Sequence, residues 1–206
     1  MSKLNIAHTI ENTEVEGPGK RFALWVQGCQ RQCPGCCNPE LFDFIPRTII
    51  GSEKVCEAIQ RSKQCNGIEG VTFLGGEPML QAKGLSEIAR YCHQNQLSVM
   101  VFTGYTQKEL QSENLPFSDE LLQYTDLLVD GVFDQNKLEK KRNWVGSTNQ
   151  KFHFLTDFYP SGIEYDPRFS HGFELRIHSD GTIQANGFPW QNATSPENNP
   201  FQQSIQ

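Results

Sequence analysis

Four short apolar runs, each closing on a glycine, constrain the fold of this chain more than any other feature. They are RFALWVQ (21–27) before Gly28, GVTFL (70–74) before Gly75, LSVMVFT (97–103) before Gly104 and DLLVD (126–130) before Gly131. Such runs have the length, β-branched content and punctuation of buried strands. Helical patterns lie between them, at 52–64 with Val55, Cys56 and Ile59 on one face, and at 80–95. More helical sequence follows to about Tyr124, interrupted near Pro116. Strands alternating with helices at this spacing need crossover connections and therefore pair in parallel. In parallel sheets, ligands collect where the strands end, and here the polar and glycine-rich motifs stand at those ends.

The flanks read differently. LNIAHTI (4–10) is a further short strand, and FELRIHSDGTIQANGF (173–188) alternates apolar and polar residues about Ser-Asp-Gly-Thr, the pattern of a hairpin. Alternation of this kind buries one strand face, so Phe173, Leu175, Ile177 and Ile183 are expected either to complete the core or to build a substrate surface. Residues 191–206, rich in Asn, Gln, Ser and Pro, read as a flexible tail. A chain of 206 residues suits one domain over 1–190. Its net charge of −6 argues against broad nucleic-acid binding, although Lys137, Lys140, Lys141 and Arg142 form a local basic cluster. No apolar run reaches membrane-spanning length, and residues 1–20 lack the apolar stretch of a secretory signal, so the expected location is the cytoplasm.

Seven cysteines are present, and four crowd into positions 29–37. Outside an oxidising compartment such crowding points to metal or redox chemistry. Cys29, Cys33 and Cys36 have the spacing C-x3-C-x2-C in a loop of turn formers. Three thiolates from one loop can ligate three irons of a [4Fe–4S] cubane and leave the fourth open to a substrate. A structural zinc would want four ligands, and no second CxxC pair is present. Cys37, adjacent to Cys36, should point away from it and reads as a spare thiol. Cys56 and Cys92 read as small core residues, and Cys65 as an exposed one.

With these blocks assembled, the chain resembles the radical S-adenosylmethionine superfamily, and within it the activating proteins of anaerobic ribonucleotide reductase. The likeness is carried by VQGCQRQCPGCCNPELF (26–42), FLGGEPML (73–80), VFTGYTQKEL (101–110) with DLLVDGVF (126–133), and NWVGSTNQ (143–150). It covers 21–150, with 151–190 as an extension. The resemblance implies an incomplete β/α barrel of the TIM type, mostly parallel, with helices outside and a short C-terminal β appendage. It implies Cys29, Cys33 and Cys36 as cluster ligands, and Gly75, Gly76 and Glu77 as the motif that receives the amino group of S-adenosylmethionine. Glycines admit a close backbone approach and a carboxylate pairs with an ammonium.

By the same resemblance Thr103 and Asp130 are placed for the cofactor's polar parts, Asp130 with a monovalent cation. Ser147, Asn149 and Gln150 match a G-S-x-N-Q block that orients a ligand. The bland readings are a solvated strand end for Asp130 and a turn capping its own backbone for the block. The implied activity is reductive cleavage of S-adenosylmethionine to a 5′-deoxyadenosyl radical, which makes a glycyl radical on a partner enzyme. A flavodoxin- or ferredoxin-type reductant is implied with it. Two alternatives stand beside this: a radical enzyme acting on a peptide or small molecule, and a non-enzymatic zinc or redox module. Two departures from the family pattern are Cys37, where an aromatic or His is common, and the 56 residues after Gln150.

Overall fold

The computed structural model describes residues 1–113, 115–169, 172–177 and 179–187; the expected tail at 191–206 lies outside the described residues. The first of the four apolar runs forms β2 (Arg21–Val26), buried along its whole length. The others form β4 (Gly70–Gly75), β5 (Ser98–Phe102) and β6 (Leu127–Asp130). These four pair in parallel, and one row of residues, Leu24, Phe73, Val101 and Leu128, runs in register across them. The sheet is completed by β1 (Lys3–Thr13), β3 (Thr48–Gly51) and β7 (Lys151–Phe154) in the order β3-β1-β2-β4-β5-β6-β7. β1 is antiparallel to both its neighbours and β7 is antiparallel to β6, so five of the seven strands share one direction.

Helices α1 (Ser52–Asn66), α2 (Ala82–Gln94), α3 (Gln107–Glu113) and α4 (Ser118–Gln123) follow the expected order. Of the segment expected as one helix from residue 80, Pro78–Gln81 forms a separate 3-10 turn. Val55 and Ile59 of α1 and Leu85, Ile88, Ala89 and Cys92 of α2 pack with Leu24, Phe73 and Val101 in the main core. Cys56 is half-buried against that core and Cys65 is exposed, as the sequence indicates. The opposite sheet face is covered too, with Met100, Leu127 and Val129 packed against Trp144 and Val145. Burial on both faces is why the parallel strands read as continuous apolar runs rather than alternating ones.

Arg21 heads the first run and is fully buried, which its charge does not foretell. Its guanidinium donates to Thr72 Oγ1 (2.7 Å), Ser98 Oγ (3.0 Å), Tyr159 Oη (2.9 Å) and the carbonyls of Pro18 (3.0 Å) and Val71 (2.5 Å). All these partners are neutral. A buried charge costs several kcal/mol unless its donors are satisfied, and here the hydrogen bonds also tie the starts of β2, β4 and β5 to the segment after β7.

The hairpin is present as β8 (Phe173–Ile177) and β9 (Ile183–Gly187). Its orientation corrects the expectation that its apolar face completes the core. Phe173, Leu175, Ile177 and Ile183 are 52%, 54%, 78% and 66% exposed. The polar face docks instead. Arg176 donates to the Asn12 carbonyl (2.5 Å), Glu174 accepts from Glu14 N (2.9 Å), and Asn186 Nδ2 donates to Thr13 Oγ1 (2.9 Å) and Glu16 Oε1 (3.2 Å). The end of β1 leaves the Asn12 carbonyl and the Glu14 N–H at this edge, and the polar face of the hairpin satisfies them.

Candidate iron–sulfur and cofactor site

The cysteine loop leaves the sheet at the end of β2 and is closed at its base by two main-chain bonds, Gly28 N to Leu41 O (3.0 Å) and Cys29 N to Phe42 O (3.1 Å). Pro34 and Gly35 are the central residues of a turn closed by Cys36 N to Cys33 O (3.1 Å). Gly35 has φ +75°, which the second central residue of a type II turn requires. The C-P-G-C sequence thereby sets two thiols at the ends of one turn.

Each of the three thiols receives main-chain N–H groups. Cys29 accepts from Gln32 and Arg31, Cys33 from Phe133 in the loop after β6, and Cys36 from Asn38 at 3.5 Å. Burial pushes the Cys29 and Cys33 thiols up, and the N–H donors oppose it. Cys36 is brought down to about 7, chiefly because the Cys37 thiol donates to it. Cys37, as donor, is pushed up.

The Gly-Gly-Glu turn at the end of β4 is laced onto the start of this loop. Gly76 N donates to Val26 O (2.8 Å) and Glu77 N to Gly28 O (2.9 Å). A Cβ on Gly76 would overlap the Gly28 carbonyl, and one on Gly75 would come within 2.7 Å of Trp25 Cα. Glu77 is 1% exposed. Its carboxylate accepts from Met79 N (2.9 Å), Thr103 Oγ1 (2.7 Å) and Gly104 N (2.8 Å). Among the described residues no cation lies within ion-pair distance of it. Burial therefore holds its carboxyl above the usual carboxylate range, against the pull of those three donors.

The remaining predicted residues have partners of their own. Thr103 is the hydroxyl that holds Glu77. Asp130 is buried rather than solvated; its Oδ2 accepts from Gln107 N at the start of α3 (2.7 Å) and lies 2.8 Å from His153 Nε2. Gln150 Oε1 accepts from Gly146 N and Ser147 N, so the block does cap its own backbone. It does more than that, because Ser147 Oγ accepts from Asp134 N (3.1 Å) and Asn149 Nδ2 donates to Val132 O (2.8 Å). The block thus fastens the loop that supplies the Phe133 N–H to Cys33. Asn149 Oδ1 is buried without a partner among the described residues. Of the basic cluster, Arg142 pairs with Glu139 and Lys137 with Asp134, while Lys137, Lys140 and Lys141 are exposed.

The residues suit an iron–sulfur cluster and an amino-bearing cofactor on two grounds. N–H donors aimed at three thiols favour their thiolate forms, and a buried carboxylate lacking a cation invites an ammonium. Among the described residues no three His, Cys, Asp or Glu side chains converge on the position of a single metal ion. A cubane spreads its thiolates over separate irons and does not require such convergence.

Comparison with known proteins bears on the same stretch. Residues 15–153 match the model of a family described as a 4Fe-4S single cluster domain, which defines the class of protein. An anaerobic ribonucleoside-triphosphate reductase-activating protein of Pasteurella multocida is 32% identical over 149 residues, 70% of this chain and 93% of the relative. That of Vibrio cholerae is 32% identical over 69% of this chain and 92% of its own length. That of Enterobacteria phage T4 is 28% identical over 69% and 89%. The chain belongs to the family of anaerobic ribonucleoside-triphosphate reductase-activating proteins. The hairpin lies beyond the matched stretch. No helix among the described residues is long and apolar enough to cross a membrane.

Proposed function

We propose that this chain is a radical S-adenosylmethionine enzyme that generates a glycyl radical on a partner enzyme, with an anaerobic ribonucleotide reductase as the favoured partner. The observation that carries the reading is the lacing of a three-thiol loop onto a buried carboxylate that has no cation. When bound, a reduced [4Fe–4S] cluster with one open iron supplies the electron that breaks the sulfonium C–S bond, giving methionine and a 5′-deoxyadenosyl radical. Cys29, Cys33 and Cys36 would hold the cluster. Glu77 would take the amino group of S-adenosylmethionine, while Thr103 Oγ1 and Gly104 N keep its carboxylate in place. Asn149 Oδ1, an open acceptor among the described residues, would orient the ligand, and Asp130 would serve a monovalent cation. A flavodoxin- or ferredoxin-type protein would supply the electron. The four adjacent parallel strands β2, β4, β5 and β6, with antiparallel β1 and β7 on either side, support an incomplete barrel.

The test is Glu77→Ala, prepared anaerobically. Iron and sulfide content should stay at the wild-type level. The affinity for S-adenosylmethionine should fall by about 2–5 kcal/mol, the usual cost of truncating one partner of a buried charge pair. An unchanged dissociation constant would remove Glu77 from the site.

A further inference from the structure

Arg31 stands in the cysteine loop, between Cys29 and Cys33. Its main-chain N–H donates to Cys29 Sγ. Its side chain crosses to the turn between β5 and α3. There the guanidinium carbon lies 3.8 Å from the centroid of the Tyr105 ring, and Nη2 is 3.0 Å from Glu109 Oε1. Nε is buried with no partner among the described residues. Gln30, the preceding residue, donates to Tyr105 Oη.

The far side of this contact is the cradle of Glu77. Gly104 packs under Arg31 so closely that a Cβ there would come 2.8 Å from Arg31 Cγ, and Gly104 N is one of the three donors to Glu77. Tyr105 is 1% exposed, and its N–H donates to Thr103 Oγ1 (3.1 Å), the second of those donors. Glu109 is fixed in turn by Thr106 N (2.6 Å) and Thr106 Oγ1 (2.8 Å). A planar guanidinium seated on a ring and paired at one nitrogen with a carboxylate is a strut that an ammonium cannot reproduce.

We propose that Arg31 is a positioning residue that locks the cysteine loop to the Glu77 cradle, and that its fixed charge raises the reduction potential of the cluster this loop would hold. The inference rests on the radical-enzyme reading above. The physical basis is that reduction adds a negative charge to the cluster, and a nearby cation in a partly buried site stabilises the reduced state more than the oxidised one. Glu109, the half-exposed partner, offsets part of the guanidinium charge.

Three variants separate the two roles: Arg31→Gln, Arg31→Lys and Glu109→Gln. Each is loaded with cluster anaerobically, titrated against redox mediators, and measured for S-adenosylmethionine binding. Arg31→Gln should lower the reduced-to-oxidised ratio at the wild-type midpoint by about threefold or more, where tenfold corresponds to about 59 mV for one electron. Arg31→Lys keeps the charge and should restore that ratio to within about twofold, yet bind S-adenosylmethionine several-fold more weakly because the strut is lost. Glu109→Gln replaces no residue of the cysteine loop, removes the charge that offsets Arg31, and should shift the ratio the other way. It keeps the test open if Arg31→Gln fails to load. An unchanged potential in Arg31→Gln, or a downward shift in Glu109→Gln, would overturn the charge role. Wild-type affinity in Arg31→Lys would overturn the strut. The wild-type protein serves as the control on the underlying reading, which fails by itself if that protein takes up no cluster.

Discussion

Replacing Glu16 with Gln should remove a pH-dependent weakness in how the C-terminal hairpin is held. Glu16 sits between β1 and β2, 7% exposed, and its Oε1 accepts from Gly187 N (2.7 Å) and Asn186 Nδ2 (3.2 Å) of the hairpin. Burial pushes its carboxyl up to about 7 from an ordinary 4.5, against the pull of those donors. A carboxyl raised on docking favours the docked state while it is protonated, and that contribution is lost as pH climbs from its free value through its docked one. A rise from 4.5 to about 7 corresponds to about 3 kcal/mol, of which about 2 kcal/mol falls between about pH 5.5 and about pH 8. Glutamine keeps the accepting oxygen and does not titrate. Native-state hydrogen exchange of the hairpin amides, Gly187 above all, reads the local opening free energy directly. The wild type should lose about 2 kcal/mol of protection across that range and Glu16→Gln almost none. Equal pH dependence in both proteins would refute the reasoning, because the charge on Glu16 would then not be what the docked hairpin opposes.

Two further outcomes bear on the site itself. Cys37→Ala should keep the reconstituted cluster's absorbance, since Cys37 acts on Cys36 as a hydrogen-bond donor, whereas Cys36→Ala should lose it; the reverse result would reassign the third ligand. Gly76→Ala drives a Cβ into the Gly28 carbonyl and separates the Glu77 turn from the cysteine loop, so thermal unfolding should show a loss of about 1–3 kcal/mol.

The parallel core was legible because its signals are local. An apolar run of strand length ending in glycine reports burial on both faces, and β2, β4, β5 and β6 lie where such runs are. The edge strands were not legible for the same reason. Thr48–Gly51 and Lys151–Phe154 are largely exposed or half-buried, so no apolar contrast marks them. The hairpin's alternation defined two faces but not which one docks, since that depends on polar main chain around Asn12 and Glu14 offered by a distant strand. Around the site, the spacing of Cys29, Cys33 and Cys36 and the Gly-Gly-Glu turn were visible as motifs. Their mutual lacing through Gly28 and Val26 was not, because it joins two strand ends some fifty residues apart. The roles of Arg21 and Arg31 were not legible: charge on a residue ordinarily signals solvent, and both are held by contacts remote in sequence.

The central claim is that this chain makes a radical and delivers it to a protein. Cluster-loaded protein, S-adenosylmethionine, a low-potential reductant and a purified anaerobic ribonucleotide reductase should be combined without oxygen and examined by electron paramagnetic resonance. Methionine and 5′-deoxyadenosine would be quantified in the same samples. The account predicts a glycyl radical on the reductase, with both products formed, and neither radical nor products when Cys29, Cys33 or Cys36 is replaced by Ala. Reductant-dependent cleavage with no radical on the reductase would contradict the assigned partner. Absence of cleavage by a protein holding a full cluster would contradict the account as a whole.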